Sequence, residues 1–293
     1  MIARRSPSQV PDRLVSAPSA RKAAVLDLIR QARSRVSLSV FRCNDIDVFM
    51  ELSRARSRGV AVDVLMTSHA KGGKDKLVKL RQRLEETGAR VHAYSDSVVK
   101  YHAKYLVADE GPAIVASLNF TRKCFERTCD ALVITYDLEV VETLLRMMDT
   151  DRQGLPLDAG SSPRLIIGPE HARRQFTELI EGARSSIRLI DAKLSDPDLV
   201  SLLAARRNRG LEVERYGAKQ LGEFKSHGKI MLIDDRLAVI GGLALAALSL
   251  DFQREVAIIV DESSAVEDVR ALFRSARVWA AQTVTATNPQ APG

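Results

Sequence analysis

The pattern of apolar and polar residues predicts a helix followed by a strand at two separate places in the chain. Apolar residues recur at helical spacing over residues 24–32 and then alternate with serines over residues 36–40, as in a half-buried strand. The same change of spacing occurs over residues 176–183 and 187–189. Alternating helices and strands are typical of the layered α/β class.

Alignment of these two regions indicates an internal duplication. Leu28 begins the segment LIRQARSRVSLSV, which aligns with LIEGARSSIRLID from Leu179. Arg56 begins the segment RSRGVAVDV, which aligns with RNRGLEVER from Arg207 at the same offset of 151 residues. A constant offset over two separate stretches is expected from two copies of one structural unit.

Each copy is predicted to continue with a second helix and to close with a strand and an amphipathic helix. The second helices are expected over residues 46–57 and 197–208, the latter with Asp196 as N-cap and Pro197 at the first helical position. The first copy inserts a helix over residues 75–86 and the strand ARVHAY. The closing helices are expected over residues 138–149 and 264–282.

Composition along the chain predicts two halves with mobile ends. Residues 1–18 and 284–293 are rich in polar residues and proline without periodicity, so both are expected to be mobile. Residues 151–163 contain the glycine, proline and serine of a linker. The two halves are therefore placed at residues 19–150 and 164–283.

Length and composition favour a soluble, cytoplasmic protein. The 293 residues are 45% hydrophobic, which suffices for a substantial core. No window approaches a membrane span or a signal peptide. Cys43, Cys124 and Cys129 have no zinc-ligand spacing and are expected to be reduced thiols. The net charge of +7 attracts polyanions such as nucleic acid or an anionic membrane surface, although basicity alone is weak evidence for either.

A short motif carries the candidate chemistry and occurs once in each half. The motif is H-x-K-x(4)-D, followed by a short apolar run. Within a strand, residues two apart share a face, so the histidine and lysine are expected side by side. An imidazole next to a fixed positive charge suits attack on a phosphodiester. The motif residues are His102, Lys104 and Asp109 in the first half, and His227, Lys229 and Asp234 in the second.

One motif supplies only half of such a site. If the halves meet across a pseudo-two-fold axis, one histidine lies on each side of the phosphorus and the lysines neutralise the non-bridging oxygens. Asp130 and Glu255 each stand 28 residues after a motif histidine. Both are predicted to orient a histidine ring and to stabilise its charged form.

These residues resemble the phospholipase D superfamily, whose motif is H-x-K-x(4)-D-x(6)-G-S-x-N and occurs twice per site. The first copy has Ala116 in place of the glycine and keeps Ser117 and Asn119. The second copy has Gly242 and Ala244 where serine and asparagine belong. The resemblance implies two tandem phospholipase D-like α-β-α sandwich units, no metal or other cofactor, and a covalent phosphohistidine.

The unequal motifs suggest distinct roles for the two histidines. We expect His102 to be the nucleophile because its half keeps Ser117 and Asn119, which the resemblance assigns to phosphate binding. His227 is then the general acid and, in the second step, the general base. Asp109 and Asp234 are expected to have orienting or structural roles. The basic residues Arg122 and Lys123 are further candidates for substrate contact, whereas Lys71, Lys74 and Lys76 are more easily explained as a solvated loop.

The motif indicates a phosphodiester substrate without naming it. Phospholipid is favoured, because many single chains with two motifs act on lipid, although the sequence lacks an interfacial amphipathic helix. Peripheral contact with an anionic membrane is compatible with the charge. The alternatives are a nuclease of the same superfamily, favoured by the basic composition, and a degenerate non-enzyme that binds phosphate. Two motifs allow a complete site in a monomer.

Overall fold

A computed structural model describes residues 10–69, 73–157, 160–217 and 220–286. The first half contains one large sheet and its helices. Its elements, in chain order, are β1 (Arg13–Val15), α1 (Pro18–Gln31), β2 (Arg35–Val40), α2 (Ile46–Ser57), β3 (Ala61–Thr67), α3 (Lys74–Glu86), β4 (Arg90–Tyr94), β5 (Lys100–Tyr101), β6 (Tyr105–Ala108), β7 (Ala113–Ala116), α4 (Arg122–Glu126), β8 (Thr128–Cys129), β9 (Leu132–Thr135) and α5 (Leu138–Gln153).

The second half contains a second large sheet with the same kinds of element. Its elements, in chain order, are β10 (Leu165–Gly168), α6 (Ala172–Gly182), β11 (Ser186–Ile190), α7 (Pro197–Asn208), β12 (Glu212–Arg215), β13 (Gln220–Leu221), β14 (Phe224–Ser226), β15 (Lys229–Ile233), β16 (Leu237–Gly241), α8 (Ala247–Phe252), β17 (Gln253–Val260) and α9 (Ser263–Ala286). Within the four described ranges, no helix is long and apolar enough to cross a membrane.

The two sheets have the same strand order. The first sheet runs β1-β9-β7-β6-β2-β3-β4, and the second runs β10-β17-β16-β15-β11-β12. In both, the pair after the first long helix is parallel, β2 with β3 and β11 with β12, and the remaining neighbours up to the first strand are antiparallel. The inserted α3 and β4 add a parallel edge strand to the first sheet. The α/β fold class and the duplication predicted from the sequence are confirmed.

Among the residues that the structure describes, three apolar clusters hold these layers together. The central cluster joins residues of both sheets with the buried faces of α5 and α9. The second cluster packs α1, α2 and α4 on the outer face of the first sheet, and the third packs α6, α7 and α8 on the second. Because the central cluster draws on both halves, burial of apolar area fixes the two motif strands relative to each other.

The structure differs from the sequence expectations at the ends of the elements. Arg13–Val15 forms β1 within the segment expected to be mobile, because its residues pair with β9 and two of its side chains are buried. Arg164 ion-pairs with Asp12 and, at 2.8 Å, with Asp137, which fixes this edge. Helix α5 continues to Gln153, inside the predicted linker, and α9 continues to Ala286. Residues 1–9 and 287–293 lie outside the described ranges.

Candidate active site

Two short strands bring each motif histidine beside a segment of the other half of the chain. β5 pairs in parallel with the start of β17, with Tyr101 opposite Arg254. The amide of His102 then donates to the carbonyl oxygen of Arg254 at 2.9 Å. β14 pairs in parallel with β8, with Ser226 opposite Cys129. In both places the histidine directly follows the last paired residue. The residue that follows its partner in the chain is a carboxylate from the other half, Glu255 in one place and Asp130 in the other.

His102 is held by the carboxylate of Glu255. Its imidazole donates through Nδ1 to Glu255, and the ring is only 13% exposed. Lys104 Nζ lies 3.2 Å from the same carboxylate and donates to the His102 carbonyl oxygen. The ring of Phe41 packs against the imidazole with centroids 4.3 Å apart. In this tautomer, Nε2 of His102 carries the free lone pair.

Burial decides the charge of His102. Loss of solvent, followed by the positive charge of Lys104, lowers the pKa of His102 to about 4, although Glu255 opposes the shift. The imidazole is therefore neutral at pH 7 and able to act as a nucleophile. Burial also lowers the pKa of Lys104 to about 8, and the nearby charge of Lys229 contributes to that shift. The two motif lysines thus act on each other across the halves.

His227 has the corresponding arrangement with Asp130. Its Nδ1 lies 3.0 Å from Asp130 Oδ2, and its ring is 27% exposed. Lys229 Nζ donates to the His227 carbonyl oxygen at 2.6 Å. Gly228 lets the two strands approach closely, because a Cβ there would lie 2.5 Å from the carbonyl oxygen of Cys129. Burial alone would raise the pKa of Asp130, but the charge and hydrogen bond of His227 outweigh it and lower that pKa.

The two carboxylates are supported by different residues. The hydroxyl of Ser117 donates to Asp130 Oδ1 at 2.6 Å and accepts from the amide of Ala131 at 3.0 Å. Ser117, expected to bind phosphate, therefore supports the orienting carboxylate. At the corresponding position, a Cβ on Gly242 would overlap the carboxylate of Glu255. The longer Glu255 side chain thus occupies the space that a serine side chain would need.

Part of the sequence matches a known protein family. Residues 25–152 match the family model described as "Cardiolipin synthase, PLD-like domain". The resemblance to the phospholipase D superfamily is confirmed. The match to the family model lies in the first half of the chain, whereas the similarity to solved structures extends over both halves. No curated protein matches the sequence.

Two solved structures show the same fold over most of the chain. One is the polyphosphate kinase from Porphyromonas gingivalis, with a TM-score of 0.73, 17% sequence identity and 89% of this chain covered. The chain spans 46% of that kinase. The other is the phosphatidylserine synthase of Haemophilus influenzae Rd KW20, with a TM-score of 0.67, 12% identity, and 92% of this chain and 85% of that chain covered.

The motif aspartates lie away from the motif histidines. Asp109 follows β6 at the opposite end from Lys104, with a positive φ of 52°. Its carboxylate accepts from the amides of residues 33–35 at 2.7–3.0 Å. Asp234 follows β15, has the same φ and accepts from the amides of residues 184–186 at 2.7–3.1 Å. Both carboxylates fix a turn to the start of a strand in their own half.

The remaining sequence candidates are less closely placed. Asn119 is buried, and its amide oxygen has no hydrogen-bond partner among the described residues. Arg122 is mostly exposed and pairs with Glu126 at 3.2 Å. The three cysteines are buried and free, as expected. Cys124, Asp130 and His227 bring ligand atoms within 4.8 Å of one another, but the last two are already bonded to each other.

Other candidates take no part in the site or went unrecognised in the sequence. Lys74 and Lys76 are exposed on α3, and Lys71 lies outside the described residues. The contact of Phe41 with His102 was not foreseen. The only signal in the sequence was the position of Phe41 directly after a predicted strand.

Proposed function

We propose that this chain is a phosphodiesterase or phosphatidyltransferase of the phospholipase D type. The observation that supports this most directly is the crossed pairing of His102 with Glu255 and of His227 with Asp130. In each pair the carboxylate engages Nδ1, so Nε2 is left for chemistry at phosphorus. Two imidazoles held in this way by the opposite halves are the requirement for attack on one side and protonation on the other.

In the proposed first step, Nε2 of His102 attacks phosphorus and the bond from phosphorus to the leaving oxygen breaks. His227 donates its proton to that oxygen, and Glu255 stabilises the positive charge that develops on His102. Lys104 and Lys229 neutralise the non-bridging oxygens. In the second step, His227 removes a proton from water or an alcohol, whose oxygen attacks phosphorus and breaks the bond to Nε2 of His102.

The assignment of His102 as nucleophile follows from its surroundings. A nucleophile must be unprotonated, and burial keeps the pKa of His102 at about 4. The half that carries it also provides Asn119, whose buried amide oxygen has no hydrogen-bond partner among the described residues. The oxygen and nitrogen of an asparagine amide can exchange places by a flip of the side chain, so Asn119 can present a donor to the substrate.

Phospholipid is the proposed substrate class. The family model is described by cardiolipin synthase, and one structural neighbour is a phosphatidylserine synthase. Nucleic acid is the second candidate, because a net charge of +7 favours a polyanion. The third, a phosphate-binding non-enzyme, rests on the missing serine and asparagine of the second motif. The fit of Glu255 against Gly242 weakens that case, since the orienting carboxylate is still in place.

A substrate panel separates these candidates. The full-length chain is incubated with labelled phospholipid vesicles and with single- and double-stranded DNA and RNA, in the presence of a chelator. We expect turnover of vesicles, its loss in His102→Ala, and its retention in His69→Ala, which removes an exposed histidine outside the site. Turnover of nucleic acid alone would replace the lipid assignment. No turnover of any substrate would contradict both enzymatic proposals.

A substrate with a good leaving group tests the roles of the two histidines. Bis(p-nitrophenyl) phosphate releases p-nitrophenolate, which needs little protonation. His227→Asn should therefore retain a burst of p-nitrophenolate equal to the enzyme concentration, followed by slow turnover. His102→Asn should give no burst, because no phosphohistidine can form. The reverse result would exchange the roles of the two residues.

A further inference from the structure

Two cations that the motif does not include lie at equivalent positions of the duplicated unit. Arg42 follows β2, and Lys193 follows β11, the strand that corresponds to β2 in the second sheet. Their separation is 151 residues, the offset that relates the two copies. Their loops therefore approach the site from opposite halves, as the two motif histidines do.

Arg42 is placed beside His102 through an aromatic ring. Its guanidinium carbon lies 5.2 Å from the centroid of the Phe41 ring, and that ring packs on the imidazole of His102. Lys104 Nζ lies 5.8 Å from the same centroid. A cation–π contact of this kind restricts a long side chain at little energetic cost. Arg42 is thus held near the reacting groups without a carboxylate.

Lys193 lies near the same groups from the other side. Partial loss of solvent, followed by the charge of Lys229, lowers the pKa of Lys193; the charge of Arg42 adds to that effect, and those of Asp191 and Glu255 oppose it. Lys193 also contributes to the lowered pKa of Lys104. The charges of Lys229 and Lys193 thus act on Lys104, and those of Lys229 and Arg42 act on Lys193.

Both loops are fixed by hydrogen bonds to the segment that follows the motif in their own half. The carbonyl oxygen of Arg42 accepts from the amide of Phe120 at 3.1 Å. The carboxylate of Asp191 accepts from the amides of Lys193 and Leu245 at 2.7 and 2.8 Å. The loops that carry the two cations are therefore braced, so a bound anion would not have to order their backbone.

The positive charge at this position is only partly offset by the protein, through the charges of Asp191 and Glu255 on Lys193. The Arg42 guanidinium and the Lys193 ammonium form no ion pair or side-chain hydrogen bond with any residue in the described ranges. The carboxylates of Asp130 and Glu255 already engage the histidines. Lys104 and Lys229 suffice for the non-bridging oxygens of one phosphodiester. A further anion is what would relieve the repulsion among the four cations.

We infer that Arg42 and Lys193 form a second anion subsite, which binds a phosphate group next to the scissile phosphodiester. The inference rests on the proposed function, since it takes the two motifs as the position of the scissile group. It narrows the substrate class to compounds in which a second phosphate lies close to the one that reacts. The subsite takes one cation from each half, and Phe41 on the first half has Ala192 as its counterpart on the second.

Calorimetry with orthophosphate and tripolyphosphate tests the subsite without any turnover. The full-length chain should bind tripolyphosphate at least about tenfold more tightly than orthophosphate, the ratio expected from additional charge-assisted contacts. Arg42→Gln/Lys193→Gln should lose that preference and keep its affinity for orthophosphate. Arg207→Gln/Lys79→Gln removes the same charge at exposed positions on α7 and α3, and should keep the preference.

The outcomes separate the subsite from the catalytic proposal. Equal tripolyphosphate affinity in the wild type and in Arg42→Gln/Lys193→Gln overturns the subsite, as does an equal loss in the control pair. Tripolyphosphate inhibition of bis(p-nitrophenyl) phosphate hydrolysis is measured in parallel. A preference that depends on Arg42 and Lys193 supports the subsite even if no diester is turned over. Turnover without that preference supports the enzyme and overturns the subsite.

Discussion

The two motif regions hold their orienting carboxylates in different ways. In the first half, the hydroxyl of Ser117 donates to Asp130, which bonds to His227. In the second half, Glu255 is one methylene longer, and its carboxylate fills the space beside Gly242 to reach His102. The sequence suggests that the second motif is degenerate. The comparison of the two halves indicates instead that a serine with an aspartate, and a glycine with a glutamate, both place a carboxylate beside a motif histidine.

The largest expected effect comes from neutralising either carboxylate. Glu255→Gln and Asp130→Asn preserve shape but remove the charge that fixes the tautomer and stabilises the imidazolium, so each should lower kcat by about 10²- to 10⁴-fold. They should differ in the burst with bis(p-nitrophenyl) phosphate. Glu255→Gln should abolish it, because His102 is then a poor nucleophile. Asp130→Asn should retain it, because His227 is not needed for this leaving group.

Stopped-flow absorbance measures both the burst and the steady state of these variants. Circular dichroism checks that each variant is folded. If the two variants show the same burst behaviour, the crossed pairing does not divide the roles as proposed, and the difference between the halves is only structural.

The second prediction concerns replacing the glycine and glutamate of the second half with the serine and aspartate found in the first half. In Gly242→Ser, the new Cβ overlaps Glu255, so the carboxylate must move away from His102; a displacement of about 1 Å costs roughly 10²-fold in rate. Glu255→Asp alone should also lower kcat, because the shorter side chain cannot reach the imidazole. The double variant Gly242→Ser/Glu255→Asp recreates the arrangement of the first half and should recover to within about tenfold of the wild type.

The control for this exchange is Gly182→Ser. A Cβ at Gly182 meets no atom within 4 Å, so this variant should keep full activity. Steady-state kinetics and melting temperature are measured for the four variants and the wild type. Losses that simply multiply in the double variant would show that Gly242 and Glu255 are not coupled.

The sequence predicts the elements and the motif residues well because they depend on local spacing. The helix over residues 46–57 and the capping of the second helix by Asp196 follow from periodicity and from side-chain hydrogen bonding near the chain itself. The crossed pairing could not be predicted, because it depends on β5 pairing with β17 of the second sheet and on β14 pairing with β8 in a separate three-stranded sheet. The three-residue β1 was likewise missed, since its pairing with β9 is a long-range contact.

The significance of Gly242 was also hidden in the sequence. A motif comparison records the loss of a serine, whereas the space it leaves is filled by Glu255, a residue of the next strand. The motif likewise assigns Ser117 to phosphate binding. Its hydrogen bond to Asp130 becomes visible only once the strands are placed. Residues that act through a neighbour on another strand require the register before their role can be read.

The smallest expected effect on catalysis concerns the motif aspartates, where the two halves agree. Asp109→Asn and Asp234→Asn should change kcat by less than about threefold, because both carboxylates bind backbone amides at the far end of their strands. Each variant replaces one carboxylate oxygen with an NH₂ group. That group faces backbone N–H donors and cannot accept a hydrogen bond from them. Each variant should therefore lose about 1–3 kcal/mol of stability and melt several degrees lower.

The pH dependence of that loss tests its cause. Burial would raise the pKa of Asp109 and Asp234, but the hydrogen bonds from the backbone amides outweigh it and lower both below their ordinary value of 3.8. A carboxyl group with a lowered pKa in the folded state contributes stability above pH 3.8, and this contribution is lost as the pH falls through the folded value. The difference in melting temperature between wild type and each variant should therefore be constant near neutral pH and shrink below about pH 4. Equal shrinkage in both halves would show that the turns are equivalent. A large loss of kcat at an unchanged melting temperature would instead connect these aspartates to the histidines.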